Sequence, residues 1–412
     1  MSLKLRLIIM NFFQFFVWGA WMITIGNYWF STKQWASEDF GLIFSTMGIA
    51  SIFMPTLCGI IADRWINTER LYGILHILCG ITFMSLPMVD NPTTFFWVIL
   101  LGMIFYMPTL ALANSIAYSA LNKYNLDTVK HFPPIRVWGT IGFIAAMWAT
   151  NLTDNKYSEN QFYIAGVAAI LLGLYAFSLP ASPPQNTESK GKTLTEMLGL
   201  DAFKLFKDYK MALFFLFSML LGAALQLTNA YGDTFLDDFK YTYPDSIIVK
   251  FSTIILSISQ VSETLFILAI PFFLKRFGIK TVMLISMLAW VLRFGLFAFG
   301  DPEGGLWMII LSCIVYGMAF DFFNISGSLF VEKSTSPKIR SSAQGLFMMM
   351  TNGFGAVIGS WTSGIIIGRF FTGADGMKDW QSIWLCFAGY ALVVAILFAI
   401  FFKYKYTPEE EK

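Results

Sequence analysis

Charged residues are scarce in this 412-residue chain, at 13% of the sequence, whereas soluble globular domains carry roughly 25%. Hydrophobic residues make up 56% and aromatic residues 17%. A surface that faces water on all sides needs more charge than this chain can supply. The composition therefore argues against a soluble protein and predicts one that is surrounded by the lipid bilayer.

Cysteine and histidine are also rare, with four and two residues. The four cysteines lie inside apolar segments without metal-ligand spacing, so we interpret them as small buried hydrophobes. His76 and His131 match no metal motif, and the motifs of zinc proteases, phosphate-binding loops and serine hydrolases are absent. We therefore expect no metal site, no cofactor apart from a coupling ion, and no enzymatic activity.

Long apolar runs occupy most of the remaining sequence. Stretches of about 20 residues recur along the chain, and each is long enough to cross ~30 Å of hydrocarbon. The first follows Lys4 and Arg6 and is too long for a signal-peptide core, so we interpret it as a span. The hydropathy predicts twelve spans, at about 7–30, 41–62, 71–89, 94–121, 133–152, 161–179, 210–236, 247–274, 279–299, 305–331, 339–368 and 380–402.

The longest interruption between spans begins as a polar segment that is rich in proline. It predicts an N-terminal six-helix half at 1–179, a cytoplasmic linker at 180–209 and a C-terminal six-helix half at 210–412. Lysine and arginine concentrate in loops on the side of the N-terminus, which predicts that both termini and the linker are cytoplasmic. The repeats PIR at 134–136 and PKIR at 337–340 open corresponding spans, as expected for two related halves around a central site.

Polar side chains inside span ten indicate a ligand site. A charged group there costs at least ~2.5–3.5 kcal/mol, so it needs a partner or a water-filled cavity. Tyr316, Phe320 and Asn324 share one helical face, with Asp321 beside it. This combination suits a flat ligand that forms hydrogen bonds. We expect Asp321 to face a solvated cavity and Asn324 to help satisfy its carboxylate.

Spans seven and eight each carry a polar stripe. Gln226, Asn229 and Asp233 follow one face of span seven, and Asp233 is expected at the external mouth. Gln260 and Glu263 share a face of span eight, where Glu263 is too deep to reach either interface easily. Lone amides often bond only a neighbouring helix, but two amides above a carboxylate favour a cavity lining.

Span five places Arg136, Thr140 and Phe143 on one face. Arg136 follows a Pro-Pro pair, so two interpretations stay open: a cavity residue, or a side chain that snorkels to the cytoplasmic interface. Gln14 and Trp18 form a weaker stripe in span one. A cation in one half and acids in the other would link protonation to conformation, which is what a transporter or channel requires.

Several blocks resemble a known transporter family. GIIADRW at 59–65 resembles the G-x-x-x-D-R signature of the major facilitator superfamily, which Gly59, Asp63 and Arg64 match. In this signature we expect Gly59 to permit a close helix approach and Asp63 to accept hydrogen bonds from a neighbouring helix end. FPPIRVWGTIGFI, SISQVSETLFIL and YGMAFDFFNISGSLFVEK are similar to the nucleoside:proton symporters of that superfamily, and the resemblance spans the chain. It implies an all-α polytopic membrane protein that imports purine and pyrimidine nucleosides by alternating access, driven by protons.

The resemblance also implies the ligands, the site and the location. The expected ligands are nucleosides such as uridine and adenosine, and no nucleic acid is expected to bind. The protein is expected to be a monomer in the lipid bilayer of a Gram-negative inner membrane. Glu263 and Asp321 are the implied proton-coupling candidates. One departure is Ala224, where an acid is expected. The implied ligand contacts are Arg136, Thr140, Phe143, Gln226, Asn229, Gln260, Glu263, Tyr316, Phe320 and Asp321.

Two other functions stay open at this point. A sugar:proton symporter would share the fold and the span-five arginine, although such sites usually stack a pyranose on tryptophan rather than on residues such as Phe143 and Phe320. A membrane sensor that binds ligand without moving it would usually carry a cytoplasmic signalling domain, and we recognise none in the linker or the tail.

Overall fold

The computed structural model of the protein describes residues 2–184, 200–336 and 339–404. These residues form helices joined by short loops, and they contain no β-strand beyond one isolated bridge between Thr372 and Lys378. Half of the predicted linker, at 185–199, lies outside the described residues, as do the first two residues of the PKIR repeat. Residues Leu200–Lys207 of the linker form a 3₁₀-helix before the next span.

The helices of the N-terminal half are α1 (Leu3–Gly19), α2 (Ser37–Arg64), α3 (Thr68–Ser85), α4 (Pro92–Lys123), α5 (Thr128–Leu152) and α6 (Asn160–Ala176). The start of α4 shows why such segments are helical from their first turn. The Asn91 side chain accepts hydrogen bonds from the backbone N–H groups of Thr93 and Thr94. Pro92 occupies the first turn, where a missing N–H is harmless.

The helices of the C-terminal half are α7 (Tyr209–Asp238), α8 (Ile258–Phe299), α9 (Leu306–Ser334), α10 (Arg340–Met348), α11 (Ala356–Phe370) and α12 (Trp380–Phe401). Two short helical turns, Ile247–Lys250 and Ser252–Leu256, precede α8. Aspartates cap two of the long helices: Asp208 accepts from the Met211 N–H and Asp379 from the Ser382 N–H.

Two predicted spans differ from uniform α-helices. Span one is broken, because α1 ends at Gly19 and the chain continues through Ile25–Asn27 into a π-helix at Tyr28–Thr32. Span eleven is divided by a second π-helix, Met349–Gly355, whose glycines are weak helix formers. Spans eight and nine follow each other within α8 and are separated, as predicted, by a kink at Gly278, whose φ of 74° is readily accommodated only by glycine. The predicted spans at 7–30 and 339–368 are therefore helical segments with irregular or π-helical turns rather than uniform α-helices.

These breaks explain why fewer helices than predicted spans meet a simple length and hydropathy test. Among the described residues, seven helical segments are long and apolar enough to cross a membrane, and one of them, Ser252–Phe299, contains predicted span nine and most of span eight. The helix α6 is apolar but has only 17 residues. The remaining predicted spans are the two broken ones and α5, which carries Arg136 and two internal prolines.

By its internal contacts the chain forms two compact units: Met1–Leu198 with Asn229–Thr234, and Gly199–Thr228 with Phe235–Lys412. In the first unit α1 packs on α5 and α3 packs on α6. In the second, α8 packs on α9 and on α12. A short part of α7, Asn229–Thr234, therefore belongs by contact to the first unit although the sequence assigns it to the second half.

Candidate functional site

In the first unit, the α5 residues Arg136, Thr140 and Phe143 lie where α5 passes closest to α1. A Cβ atom on Gly142 would be only 2.0 Å from the Phe12 carbonyl oxygen, so glycine is required for this approach. The Arg136 guanidinium lies 4.0 Å from the centroid of the Phe15 ring, a cation–π contact within the unit. Arg136 and Thr140 are half-buried and Phe143 is buried. The contact with Phe15 anchors Arg136 against α1.

Phe143 belongs to an aromatic wall that sequence reasoning only partly identified. Its ring meets Trp18 edge-on at 6.3 Å, and Trp18 in turn lies 5.7 Å from Tyr106 of α4. The indole Nε1 of Trp18 is buried and has no hydrogen-bond partner among the described residues. A buried donor without a partner is costly, so this group is well placed to meet a polar ligand or a water molecule.

A buried network around Gln14 supports this wall from behind. The Gln14 Oε1 accepts from the Tyr72 hydroxyl at 2.7 Å and lies 2.9 Å from the His76 Nε2. Its Nε2 donates to the Thr109 hydroxyl at 2.9 Å, and the Tyr106 hydroxyl donates to the Gln14 carbonyl at 2.6 Å. The predicted Gln14 stripe therefore points into the unit rather than towards a ligand. Its four partners were missed because they come from two other helices.

In the second unit, α8 and α9 touch backbone to backbone at Gly317. A Cβ atom at Gly317 would lie 2.6 Å from the Ser262 carbonyl oxygen and 2.7 Å from the Glu263 nitrogen. The Ser262 hydroxyl also donates a hydrogen bond to the Ile314 carbonyl oxygen. This approach brings the polar stripe of α8 against that of α9, which is how Glu263 and Tyr316 become neighbours.

Tyr316 is the centre of the cluster that results. Its ring stacks on Phe320 at 6.0 Å with an angle of 9° between the planes, and it meets Trp290 edge-on at 6.0 Å. Gln260 lies within hydrogen-bonding reach of the Tyr316 hydroxyl, and the charges of Glu263 and Asp321 act on it. The structure thus brings together five of the predicted site residues, Gln260, Glu263, Tyr316, Phe320 and Asp321.

The buried oxygen atoms of this unit that have no hydrogen-bond partner among the described residues include Asp321 Oδ2 and Gln226 Oε1. Asp321 is 4% exposed and Gln226 is 9% exposed. The expected hydrogen bond between Asn324 and Asp321 is absent among these residues, and Asn324 instead lines a hollow of about 20 Å³ beside Trp290 and Phe320. That prediction was wrong because Asn324 turns towards this hollow, which has room for about one water molecule.

The remaining predicted residues of α7 divide between the units. Asn229 is half-buried and belongs by contact to the first unit. Asp233 is fully buried, and its Oδ2 accepts a hydrogen bond of 2.6 Å from the Asn27 Nδ2. Asp233 is thus closed off from solvent by its neighbours, and its position at the external mouth stays a prediction. Ala224, at the position where an acid was expected, is buried.

Three smaller expectations also fail, the last of them for one residue in four. A Cβ atom on Gly59 would meet nothing within 4 Å, so no close helix approach explains this glycine. Asp63 is exposed and forms no hydrogen bond among the described residues, because it points outward at the end of α2. Three of the cysteines are buried as expected, but Cys386 is exposed on α12.

Comparison with known proteins identifies the family. The family model described as Nucleoside H+ symporter matches residues 1–407. The chain belongs to this family. It is therefore a proton-coupled nucleoside transporter of the major facilitator superfamily fold and not an enzyme, as the sequence predicted.

Individual relatives agree with this assignment. The chain is 52% identical to the xanthosine permease of Escherichia coli (strain K12), over 100% of this chain and 99% of that protein. It is 50% identical to the nucleoside permease NupG of the same organism, over 98% of this chain and 97% of that protein. A crystal structure of NupG with one aspartate changed to alanine covers 98% of this chain and 100% of that one, at 50% identity, with a TM-score of 0.95.

A crystal structure of a D-xylose–proton symporter matches with a TM-score of 0.71 but only 14% identity, covering 97% of this chain and 98% of that one. This likeness shows the fold alone. The sugar alternative therefore has no support beyond the architecture that such transporters share, and the sensor alternative is not supported, because the family consists of transporters.

Proposed function

We propose that this chain imports nucleosides such as uridine and adenosine together with protons across a bacterial inner membrane, as a monomer with both termini in the cytoplasm. The proposal rests on the cluster around Tyr316 in the second unit. A buried carboxylate, Asp321, with one unbonded oxygen lies beside Glu263 and beside the stacked rings of Tyr316 and Phe320. The names of the relatives, a xanthosine permease and a nucleoside permease, support the ligand class.

Each group in the cluster suits one part of a nucleoside. The flat faces of Phe320 and Tyr316 match a nucleobase, since stacked aromatic rings attract each other in offset geometry. Amides such as Gln226 and Gln260 can donate to and accept from the base edge or the ribose hydroxyls. The unbonded oxygen of Asp321 is an acceptor for a hydroxyl. In the first unit, Arg136, Thr140, Phe143 and Asn229 are the proposed contacts.

The two carboxylates explain why a proton would accompany the ligand. Glu263 and Asp321 lie close enough for each charge to act on the other inside a span. Two negative charges in a poorly solvated place repel each other, so a proton on one of them lowers the free energy of the loaded state. Proton binding is then linked to ligand binding, because the proton neutralises a charge of this pair of acids and the ligand forms hydrogen bonds with the same pair.

Uptake into proteoliposomes tests this proposal. With an inward proton gradient, labelled uridine should accumulate above its external concentration, and a protonophore should abolish the accumulation. Excess adenosine should compete and excess xylose should not, which separates the nucleoside reading from the sugar reading. Accumulation that persists after the proton gradient has collapsed would contradict proton coupling.

A further inference from the structure

A groove on the second unit contains none of the predicted ligand contacts. It lies between α7, α11 and α12 and has a volume of about 280 Å³. In its walls Ala223, Leu227 and Phe387 are buried, whereas Thr362 and Cys386 are exposed. The groove is therefore closed at the bottom by α7 and open to the surroundings between α11 and α12.

Two contacts with α7 fix the walls of this groove. A Cβ atom on Gly359 of α11 would lie only 2.4 Å from the Ala223 Cα, so α11 touches α7 backbone to backbone. The Tyr390 hydroxyl of α12 donates a hydrogen bond of 2.6 Å to the Leu220 carbonyl oxygen of α7. Both helices are thus held to α7, and the groove remains between them.

The lining of the groove offers little to water. It contains no charged side chain, and most of its residues are apolar. The Thr362 hydroxyl donates to the Ile358 carbonyl oxygen at 2.6 Å, and the Ser363 hydroxyl donates to the Ser360 carbonyl oxygen at 2.9 Å. The third hydroxyl, of Tyr390, is bonded to α7 as described. Because a water molecule in a cavity needs roughly two to four polar partners, the groove suits an apolar occupant.

The surface around the opening faces hydrocarbon. Ile358 and Trp361 of α11 are exposed, and so are Leu385 and Val393 of α12. In a protein surrounded by a bilayer, exposed apolar side chains on neighbouring helices mark a surface in contact with lipid. The hydrocarbon next to the opening is therefore that of the lipid acyl chains, which need cross no water to enter.

The volume of the groove suits one segment of such a chain. At about 30 Å³ for each group the size of a water molecule, it holds roughly nine methylene groups. If it stayed empty, its walls would lack the dispersion contacts that close packing supplies, and this cost rises with the volume of a cavity. A flexible chain can follow the groove between two helices and restore those contacts.

We propose that this groove is a lipid-binding site that holds one acyl chain of a membrane phospholipid against Ala223, Leu227 and Phe387. The chain completes the packing between α11 and α12, which are both fixed to α7 but leave this gap between them. The inference goes beyond the proposed uptake of nucleosides and does not depend on it.

Cys386 lines the groove and can report on its occupant. The other three cysteines are buried, so N-ethylmaleimide should react first with Cys386. The protein is stripped of lipid in a bile-salt detergent, which carries no alkyl chain, and dioleoylphosphatidylcholine is then added. At a lipid concentration about ten times the Kd, we expect the reaction to slow by about tenfold and the effect to saturate. An unchanged rate would overturn the proposal.

Val393 supplies a matched control on the same face of α12. It lies seven positions after Cys386, is exposed, and does not line the groove. The double variant Cys386→Ser with Val393→Cys moves the reactive thiol to this position. Lipid that merely surrounds the protein should protect both thiols equally, whereas lipid in the groove should slow the reaction at position 393 by less than about twofold. Equal protection at the two positions would contradict the site.

Filling the groove gives an independent test. Native mass spectrometry should find one phospholipid retained by the wild type and by Val393→Phe, and none retained by Cys386→Phe, whose ring takes the place of the chain. Thr362→Phe, from the opposite wall, should give the same loss, so the result does not depend on the folding of one variant. Retention by both groove variants would refute the site.

A second copy of the chain is the other occupant that these experiments would reveal. Protection of Cys386 would then rise with protein concentration in the absence of lipid, and this result would overturn the proposal. Protection that follows the lipid concentration and stays constant over a tenfold range of protein concentration would support it. Since neither measurement uses nucleoside transport, failure of the proposed function would leave both tests intact.

Discussion

The Asn27 Nδ2 donates a hydrogen bond of 2.6 Å to the Asp233 Oδ2, although 206 positions separate the two residues. Both residues are fully buried. The bond ties the Asn229–Thr234 part of α7 to the broken end of span one, within the first unit. A carboxylate inside a membrane protein requires such donors, so this contact explains why that part of α7 belongs to the first unit.

Asn27→Ala is therefore expected to destabilise the folded protein by about 1–3 kcal/mol, because it removes a donor from a buried carboxylate. Unfolding in mixed detergent micelles measures the change. Asn122→Ala, at an exposed position of α4, is the control and should be neutral within about 0.5 kcal/mol. A double-mutant cycle with Asp233→Ala should give a coupling of at least about 0.5 kcal/mol, and additivity of the two changes would refute the pairing.

A second prediction concerns the contact between α8 and α9. Gly317→Ala would place a Cβ atom 2.6 Å from the Ser262 carbonyl oxygen, so the two helices would have to separate. We expect a loss of about 1–3 kcal/mol in stability and a clear loss of uridine binding, since Glu263 and Tyr316 meet at this point. Gly389→Ala on α12, where a Cβ atom meets nothing within 4 Å, should behave like the wild type. Equal binding by both variants would contradict the prediction.

The sequence predicts which polar residues of the site share a helical face, but it does not predict which of these faces pack against each other. Spacing alone placed Gln260 with Glu263 and Tyr316 with Phe320, because a helix brings residues three and four apart onto one face. That the two stripes face each other depends on the tertiary approach at Gly317, which no local pattern encodes.

The spans were predictable for a similar reason, and their interruptions were not. Hydropathy identifies a segment that can lie in lipid, whether or not its backbone stays α-helical. The break after Gly19 and the π-helix at Met349–Gly355 are backbone choices that packing decides. The left-handed Gly278 is the exception, since a glycine between two apolar runs is itself a signal for a break.

A third prediction concerns recognition by the amides. Gln226→Ala, Gln260→Ala and Asn229→Ala should each weaken uridine binding by about 5- to 150-fold, because a ligand group left without its partner costs roughly 1–3 kcal/mol. Equilibrium binding to purified protein measures the effect. Gln381→Ala, at an exposed position near the start of α12, is the control and should bind like the wild type. If all three site variants bind uridine normally, the ligand site lies elsewhere.

The last prediction separates the roles of the two acids. An acid that carries the coupling proton is needed for accumulation but not for the exchange of nucleoside across the membrane, whereas an acid that holds the ligand is needed for both. Glu263 is half-buried, while Asp321 is buried with an unbonded oxygen beside the stacked rings of Tyr316 and Phe320. We therefore expect Glu263→Gln to keep exchange and lose proton-driven accumulation, and Asp321→Asn to impair both.

Counterflow and gradient-driven uptake in the same vesicles make this distinction directly. Counterflow needs only binding and the return of the loaded protein, so Glu263→Gln should retain it within about two- to threefold, a change of less than ~0.7 kcal/mol. Its gradient-driven accumulation should fall to the equilibrium level. Glu303→Gln, an exposed acid in the loop before α9, should retain both activities. If Asp321→Asn retains counterflow and Glu263→Gln loses it, then Asp321 carries the proton and Glu263 holds the nucleoside.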